Sequence, residues 1–179
     1  EVLKNYGYST AAFGKWHNTP PSDVKPGGPY DQYPTGLGFR YFYGFLAGET
    51  SQYEPRLFEN VNPVEPPHDP NYHLTEDLAK RAVTFIRNHL AYTPEDPFFL
   101  YFAPGAVHGP HQIFKEWADK YKGQFDQGWE VLREETFQRQ KELGWIPEDA
   151  ELTPIAPTMQ KWEDVPEEQF AFQTRLMEI

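Results

Sequence analysis

The sequence predicts an α/β fold, and three segments carry that prediction. Residues 8–14 form a short apolar run that begins after Gly7 and ends at Gly14, which is typical of a buried strand. Residues 75–90 repeat apolar side chains with the period of a helix, and residues 98–103 form a second continuous apolar run. A buried strand, a long helix and another buried strand in this order indicate a sheet flanked by helices.

The long helix has the clearest sequence signals. Thr75 supplies a hydroxyl N-cap, and Glu76 and Asp77 place negative charge in the first turn, where the helix dipole favours it. One apolar stripe follows, formed by Leu78, Ala82, Val83, Phe85, Ile86 and Leu90. The run at 98–103 has no polar interruption except a tyrosine hydroxyl, so we expect a strand covered on both faces.

Residues 18–72 lie between the first strand and the helix, and they are dense in Pro, Gly, Asn and Asp. Large aromatic residues are interleaved with them, so we predict a long loop pinned onto the core rather than a flexible linker. The aromatic group at 41–45 could serve as a platform for a sugar ring, although packing in the core is the simpler interpretation.

The two ends of the chain have helical patterns. Residues 1–7 resemble the last turns of a helix that stops at Gly7, and residues 167–179 form a helical pattern with no cap. Between them, residues 114–144 are helical with an interruption near Gly123, and the acids of residues 126–151 are most simply a solvated helical face. We therefore expect residues 1–179 to be an internal portion of one larger domain.

Composition and charge exclude several function classes. The 179 residues include no cysteine, which excludes disulfides, thiolate-bound metals and a cysteine nucleophile within them. The net charge of −11 disfavours binding to nucleic acid and to anionic lipid. No apolar run approaches the roughly 20 residues that cross a bilayer. We therefore expect neither a nucleic acid nor a membrane as a partner.

Three basic side chains follow the two predicted strands. Lys15 and His17 come directly after the first strand, and His108 follows the second. Ligands of open α/β sheets bind beyond the carboxyl ends of the strands, so these residues converge if the strands are neighbours. A lysine can hold a sulfate or phosphate oxygen, and a histidine can also move a proton to a leaving group. The pattern predicts a site for an anionic ester.

Simpler interpretations of the same residues stay open. Each of the three side chains alone is compatible with a solvated or merely hydrogen-bonded surface residue. His108 and His111 have the spacing of a helical metal pair, but Gly109 and Pro110 between them exclude a regular helix, so we predict no metal site. No Gly-x-Ser-x-Gly elbow, phosphate-binding glycine loop or acidic cation loop is present, and no nucleophile is evident.

Several segments together resemble the sulfatase family, and the large bacterial arylsulfatases in particular. Gly-Lys-Trp-His at 14–17 resembles the second signature of that family. Residues 98–110 resemble the strand and turn that bear its third basic active-site residue. Further similarity extends over residues 34–45, 73–78 and 125–137. The resemblance covers essentially the whole chain, with the segments in the family's order.

The resemblance implies a portion of an alkaline-phosphatase-like mixed sheet flanked by helices, and a parent enzyme that hydrolyses sulfate esters. Lys15 would bind the sulfate oxygens, His17 would hydrogen-bond a formylglycine nucleophile, and His108 would act on the ester oxygen as a general acid. The Cys/Ser-x-Pro-x-Arg segment that becomes formylglycine and the acids and amide that hold calcium would lie outside residues 1–179. The isolated fragment is therefore expected to be inactive.

Two rival functions remain at this point. A phosphate or phosphonate ester hydrolase of the same superfamily would use Lys15 and His17 in a similar way. A non-catalytic module that binds a glycan through its aromatic residues is the other. The favoured substrate is a small-molecule or glycan sulfate ester, and the resemblance to bacterial enzymes suggests the cytoplasm or the periplasm as the compartment.

Overall fold

The computed structural model describes residues 1–179, which form five strands and five α-helices. The strands are β1 (Ser9–Lys15), β2 (Tyr41–Phe45), β3 (Leu57–Glu59), β4 (Asn62–Val64) and β5 (Phe98–Ala103). The helices are α1 (Val2–Asn5), α2 (Leu74–Tyr92), α3 (Lys115–Ala118), α4 (Gly128–Glu142) and α5 (Glu167–Glu178). The chain divides into two compact units, Glu1–Gln112 and Ile113–Ile179. All five strands belong to the first unit.

The strands form one mixed sheet in the order β4-β3-β2-β1-β5. β1 lies in the middle and pairs in parallel with β2 on one side and with β5 on the other. β2, β3 and β4 pair in antiparallel fashion. The α/β prediction is confirmed. The connection from β1 to β2 is a long loop and α2 precedes β5, whereas the antiparallel strands β3 and β4 are joined by a short turn.

Alternation along β1 and β2 divides the core between the two faces of the sheet. Ala11, Phe13, Tyr43 and Phe45 pack on one face together with the buried side of α2. Ala12 and Phe42, which alternate with them along the strands, pack on the other face with Tyr33 and residues of the long loop. Successive side chains of a strand point to opposite faces. The side chains at the ends of β1 and β2 therefore also alternate between these two faces.

α2 covers its face of the sheet as the sequence predicts, but its N-cap differs from the expected one. His73 occupies the cap position, and its Nδ1 accepts a hydrogen bond from the Thr75 N–H at 3.2 Å. A histidine ring nitrogen therefore takes the place that we assigned to the Thr75 hydroxyl. Val83 and Leu90, which we placed in the apolar stripe, are 44% and 55% exposed, so the stripe is narrower than predicted.

A polar network joins α2 to the sheet. The hydroxyls of Tyr43 and Tyr72 both donate to Asp77 Oδ2, at 2.6 and 3.0 Å, and the Tyr41 hydroxyl donates to Glu59 Oε1 at 2.7 Å. The Arg81 guanidinium lies over the Tyr43 ring, 4.3 Å from its centroid. Burial and then the neighbouring Glu59 raise the pKa of Tyr41 to about 12, and burial with Asp77 raises the pKa values of Tyr43 and Tyr72 as well.

The expectation that residues 98–103 form a strand covered on both faces is wrong. β5 lies at the edge of the sheet and pairs only with β1. Four of its aromatic side chains are 38% to 43% exposed: Phe98, Phe99, Tyr101 and Phe102. Phe39 lies near two of them, and α2 contacts the opposite face only in part. An edge position leaves an apolar strand without a second neighbour.

The prediction of one long loop for residues 18–72 is also incomplete, because three short strands lie within it. β2 is a buried aromatic strand, which favours the core-packing interpretation of residues 41–45. β3 and β4 form a hairpin whose turn contains Asn60 with a left-handed φ of 56°. The Asn60 Oδ1 accepts from the Phe42 N–H at 3.0 Å and so fastens this turn to β2.

The second unit contains the remaining helices. The pattern predicted at 114–144 is broken as expected, because α3 ends before Gly123, which has a φ of +76°, and α4 begins at Gly128. Glu178 is buried, accepts from the Gly123 N–H at 2.8 Å and pairs with Arg175 at 2.7 Å. These two hydrogen-bond donors offset the energetic cost of burying the carboxylate. None of the helices combines the length and the apolar character that a membrane span requires.

Candidate functional site

The sheet topology brings the three predicted site residues to the same edge of the sheet. β1 and β5 are parallel neighbours, and their register pairs Gly14 with Ala103. Lys15 is therefore the next residue beyond that pair on β1, and the loop that carries His108 leaves β5 at the same level. The carboxyl ends of parallel neighbouring strands lie side by side. The backbone segments that carry Lys15 and His108 therefore lie close together, as we predicted for the case in which the two strands are neighbours.

Gly14 is the residue that allows β1 to pass so close to its neighbour. It has a φ of +103°, and a Cβ at this position would collide with the Ala103 carbonyl. Any side chain would push β1 away from β5. The glycine in Gly-Lys-Trp-His thus sets the backbone path that delivers Lys15 and His17.

Trp16 separates the two candidate basic residues and has a structural role. Its indole N–H donates to the Gln32 carbonyl at 2.8 Å, and its ring packs edge to face against Phe39 at 5.8 Å between centroids. Trp16 belongs to the face of the sheet opposite α2, and pleat alternation assigns Lys15 to the α2 face, with Phe45 as its register partner. The tryptophan anchors the strand end so that its neighbours have defined positions.

His17 leaves the strand in a left-handed conformation, with a φ of 54°. Its N–H donates to the Leu46 carbonyl at 3.1 Å, which keeps it beside the loop that follows β2. The imidazole lies over Gly48, where an added Cβ would be 2.9 Å from Cε1 and from Nε2. A non-glycine residue with positive φ is uncommon and often occurs at functional positions.

His108 is exposed, and its ring is oriented by the backbone of its own loop. Its N–H donates to the Gly105 carbonyl at 3.0 Å, and its Nδ1 lies 2.9 Å from the Gly109 carbonyl oxygen. Since a carbonyl can only accept, this contact places a proton on Nδ1 and leaves Nε2 for another partner. Glu49 Oε2 lies 3.8 Å from the same Nδ1.

A cleft of about 1220 Å³ opens at this edge of the sheet. His17 lines it, together with Gly109 and Pro110 of the His108 loop and with Glu49. Its apolar wall includes Pro20, Pro21, Val24, Leu46 and Phe58. Lys15 is not a lining residue of this cleft; it stands at the end of β1. A cleft with apolar walls and few polar groups is typical of a small-molecule site.

Several residues of this site escaped the sequence reasoning because they follow β2, which we did not predict. The loop after β2 supplies Gly48, Glu49 and Arg56 to the cleft. The sequence signal that could have revealed β2 is the run of aromatic, strand-forming residues at 41–45. Had that run been assigned to a parallel strand, the segment behind it would have been a candidate by the same rule that identified Lys15 and His108.

No set of His, Asp and Glu side chains in residues 1–179 is arranged to hold a metal ion, since no group of three or more comes together. His108 and His111 share a loop but no third ligand joins them.

Comparison with known proteins agrees with the geometry. A family model described as Sulfatase matches residues 1–167. The chain belongs to the sulfatase family. This confirms the resemblance that rested on Gly-Lys-Trp-His and the segments behind it.

Individual sulfatases match over much of the chain. An uncharacterized sulfatase of Schizosaccharomyces pombe is 32% identical over 100% of the chain, and the match covers 33% of that protein. An arylsulfatase of Klebsiella aerogenes is 28% identical over 100% of the chain and 38% of its own length. Arylsulfatase J of Mus musculus is 32% identical over 68% of the chain and 20% of its own length. The chain thus spans about a third of the first two sulfatases.

Solved structures show the same fold. The crystal structure of Ps i-CgsB in complex with k-i-k-neocarrahexaose matches with a TM-score of 0.55 and 26% identity, over 68% of this chain and 29% of that one. A second crystal structure, of Ps i-CgsB, matches with a TM-score of 0.54 and 24% identity, over 68% of this chain and 29% of that one. The mixed sheet with its flanking helices is thus a sulfatase fold.

Proposed function

We propose that the protein containing these residues hydrolyses sulfate esters, and that Lys15, His17 and His108 supply the basic side of its active site. The observation that supports this most directly is topological. Two parallel neighbours, β1 and β5, end at the same edge of the sheet, and each is followed by basic residues of the expected types. Membership of the sulfatase family supplies the reaction type.

Lys15 is assigned to the sulfate oxygens. An ammonium group is a compact charge with three N–H donors, and it can stabilise the charge that builds on the sulfuryl oxygens as the ester bond breaks. The −11 charge of the chain would repel a sulfate ester at long range. A local cation at the strand end offsets this repulsion where the anion must bind.

His108 is assigned to the leaving group. Its Nδ1–H is held by the Gly109 carbonyl, so a protonated ring would direct Nε2–H away from that contact and could donate a proton to the ester oxygen. His17, which lines the cleft, is assigned to the group that attacks sulfur. Both rings are exposed in this chain, and the cleft between their loops has room for the alcohol part of an ester.

The nucleophile and the metal are assigned to segments outside residues 1–179. A formylglycine in its hydrated form would supply the hydroxyl that attacks sulfur. Residues 1–179 contain no Cys/Ser-x-Pro-x-Arg segment from which it could be made, and no three of their His, Asp and Glu side chains come together at a metal site, so no step of either kind is assigned to these residues. Residues 1–179 alone are therefore expected to show no turnover.

The substrate is proposed to be a small-molecule or glycan sulfate ester. Ps i-CgsB, a sulfatase-fold protein of 26% identity, was crystallised with a neocarrahexaose, an oligosaccharide. The apolar wall of the cleft suits the flat face of either a sugar ring or an aryl group.

A panel of esters tests this function in the full-length protein. The same phenol should be presented as its sulfate, its phosphate and a phosphonate, with release of the phenol measured at saturation. Preferential turnover of the sulfate is expected. Faster turnover of the phosphate or phosphonate ester would favour the rival hydrolase instead. Failure to turn over any of the three, with glycan binding retained, would favour the binding module.

A further inference from the structure

Gln112 fastens the loop that carries His108 to the loop that follows β2. Its side-chain Oε1 accepts from the Gln52 N–H at 2.8 Å and from the Ser51 hydroxyl at 3.3 Å. Its backbone carbonyl accepts from the His73 Nε2–H at 3.0 Å, so Gln112 is held through its side chain and its main chain. Because Gln112 and His108 belong to the same loop, these bonds fix how closely that loop approaches the loop after β2.

Glu49 belongs to the loop after β2 and faces His108 across this junction. Its Oε2 lies 3.8 Å from the His108 Nδ1, and no other carboxylate of the chain comes within ion-pair distance of this ring. The distance is too long for a hydrogen bond, so the carboxylate acts on the ring through its charge. The Gly109 carbonyl accepts from the same nitrogen at 2.9 Å. A neutral acceptor and a negative charge therefore both favour a proton on Nδ1.

The place of this proton decides which nitrogen of His108 is available to a substrate. A histidine that protonates a leaving group carries a proton on each ring nitrogen and gives up one of them. Since the Gly109 carbonyl and the Glu49 carboxylate both retain the proton on Nδ1, the proton that leaves is the one on Nε2. The neutral ring that results then has the proton position that both oxygens stabilise.

We infer that Glu49 is a positioning residue for His108: its carboxylate keeps the proton on Nδ1 and the ring turned so that Nε2 points away from the two loops. Glu49 follows Gly48, so two successive residues of one loop contact the two candidate histidines, His17 and His108. The importance of this contact for turnover rests on the proposed function. The place of the proton is a property of the protein without substrate.

Nitrogen NMR of the full-length protein with isotope-labelled histidine tests the place of the proton. At a pH at which the His108 ring is neutral, the wild type should carry its proton on Nδ1. In Glu49→Gln, which keeps the shape and removes the charge, a measurable share of the rings should carry it on Nε2, whereas Glu49→Asp should stay closer to the wild type. Glu65→Gln is the matched control, because Glu65 is exposed and follows β4 at the opposite edge of the sheet.

Turnover of sulfate esters by the same variants tests the consequence. An exposed ion pair makes a modest contribution, so kcat of Glu49→Gln for esters of poorly acidic alcohols should fall about three- to fivefold with KM unchanged. Glu49→Asp should recover part of this loss, and Glu65→Gln should show none.

The two measurements separate this inference from the proposed function. A wild-type proton position in Glu49→Gln would overturn the inference, because the Gly109 carbonyl alone would then hold the ring. A displaced proton with unchanged kcat would overturn the role of Glu49 in turnover. A displaced proton in a protein whose wild type hydrolyses no sulfate ester would support the contact and contradict the proposed function.

Discussion

The imidazole of His17 lies directly against Gly48, and an added Cβ at that glycine would be 2.9 Å from two ring atoms. Gly48 belongs to the loop after β2, whereas His17 ends β1, so a single missing side chain accommodates a histidine from a neighbouring strand. The backbone of His17 is fixed by its bond to Leu46. A side chain at 48 would therefore move the ring rather than the strand.

Gly48→Ala should impair turnover of the full-length enzyme without unfolding it. Displacement of a reacting group by about 1 Å can cost on the order of 100-fold in rate, and we expect a loss of this order in kcat for an aryl sulfate. The control is a double-mutant cycle with His17→Ala. If Gly48 acts through His17, adding Gly48→Ala to His17→Ala causes no further loss in kcat. Fully additive losses in kcat for the two substitutions would contradict this account.

His108→Ala should lower turnover by roughly 10²- to 10⁴-fold, the usual effect of losing a positioned acid. The loss should be greatest for esters of poorly acidic alcohols, because these leaving groups depend most on protonation. His111→Ala, in the same loop and also exposed, is the matched control and should retain the wild-type rate. Equal losses for acidic and poorly acidic leaving groups would remove His108 as the acid.

The exposed aromatic face of β5 should make isolated residues 1–179 associate. Phe99 and Tyr101 are 39% and 43% exposed on one face of an edge strand, which offers unpaired backbone groups as well. Replacing Tyr101 with Lys should reduce association, as measured by light scattering after size exclusion. Val83→Lys, on an equally exposed part of α2, should not. A wild-type fragment that is monomeric with one sharp unfolding transition would contradict the prediction.

Stability should fall at alkaline pH because of the tyrosines beneath α2. The pKa of Tyr41 is raised to about 12, so the folded chain keeps its proton where the unfolded chain, with an ordinary tyrosine pKa of about 10, has lost it. The raised pKa of Tyr41 contributes to the free energy of unfolding in full below pH ~10, and this contribution disappears between pH ~10 and 12. Urea unfolding across this range should show a steeper decline for the wild type than for Tyr41→Phe. Tyr92→Phe, at an exposed position, is the control; equal slopes for all three would refute the assignment.

Asp77 accepts from two tyrosine hydroxyls, and its removal should destabilise the fold. Asp77→Asn retains one acceptor oxygen but loses the charge that strengthens both contacts. We expect a loss of about 1–3 kcal/mol in the free energy of unfolding, measured by urea titration at neutral pH. The exposed Asp69→Asn is the matched control. A change below about 0.5 kcal/mol for Asp77→Asn would contradict a stabilising role for this network.

The sequence alone was sufficient to propose Lys15, His17 and His108 as candidates, because residues that follow buried strands are recognisable from local pattern. It was not sufficient to place β2, β3 and β4, since strands of three to five residues amid Pro and Gly are defined by pairing with distant partners rather than by their own periodicity. For the same reason Gly48 and Glu49 were missed.

Two further differences have local physical causes. The N-cap of α2 is the His73 ring rather than the Thr75 hydroxyl, because a histidine nitrogen two residues earlier already accepts the Thr75 N–H. The exposure of the β5 side chains depends on the place of β5 in the sheet. Apolar composition alone cannot distinguish a central strand from an edge strand.

The most direct test of the sulfate site is kcat/KM for an aryl sulfate in the full-length protein, with Lys15→Ala compared with Lys4→Ala. Lys4 lies on α1, exposed and away from the end of β1, so its loss changes the net charge equally. We expect Lys15→Ala to lose roughly 10²-fold or more, as for removal of a group that stabilises transition-state charge, and Lys4→Ala to keep the wild-type value. Wild-type kcat/KM in Lys15→Ala would contradict the assignment of this strand end as the sulfate site.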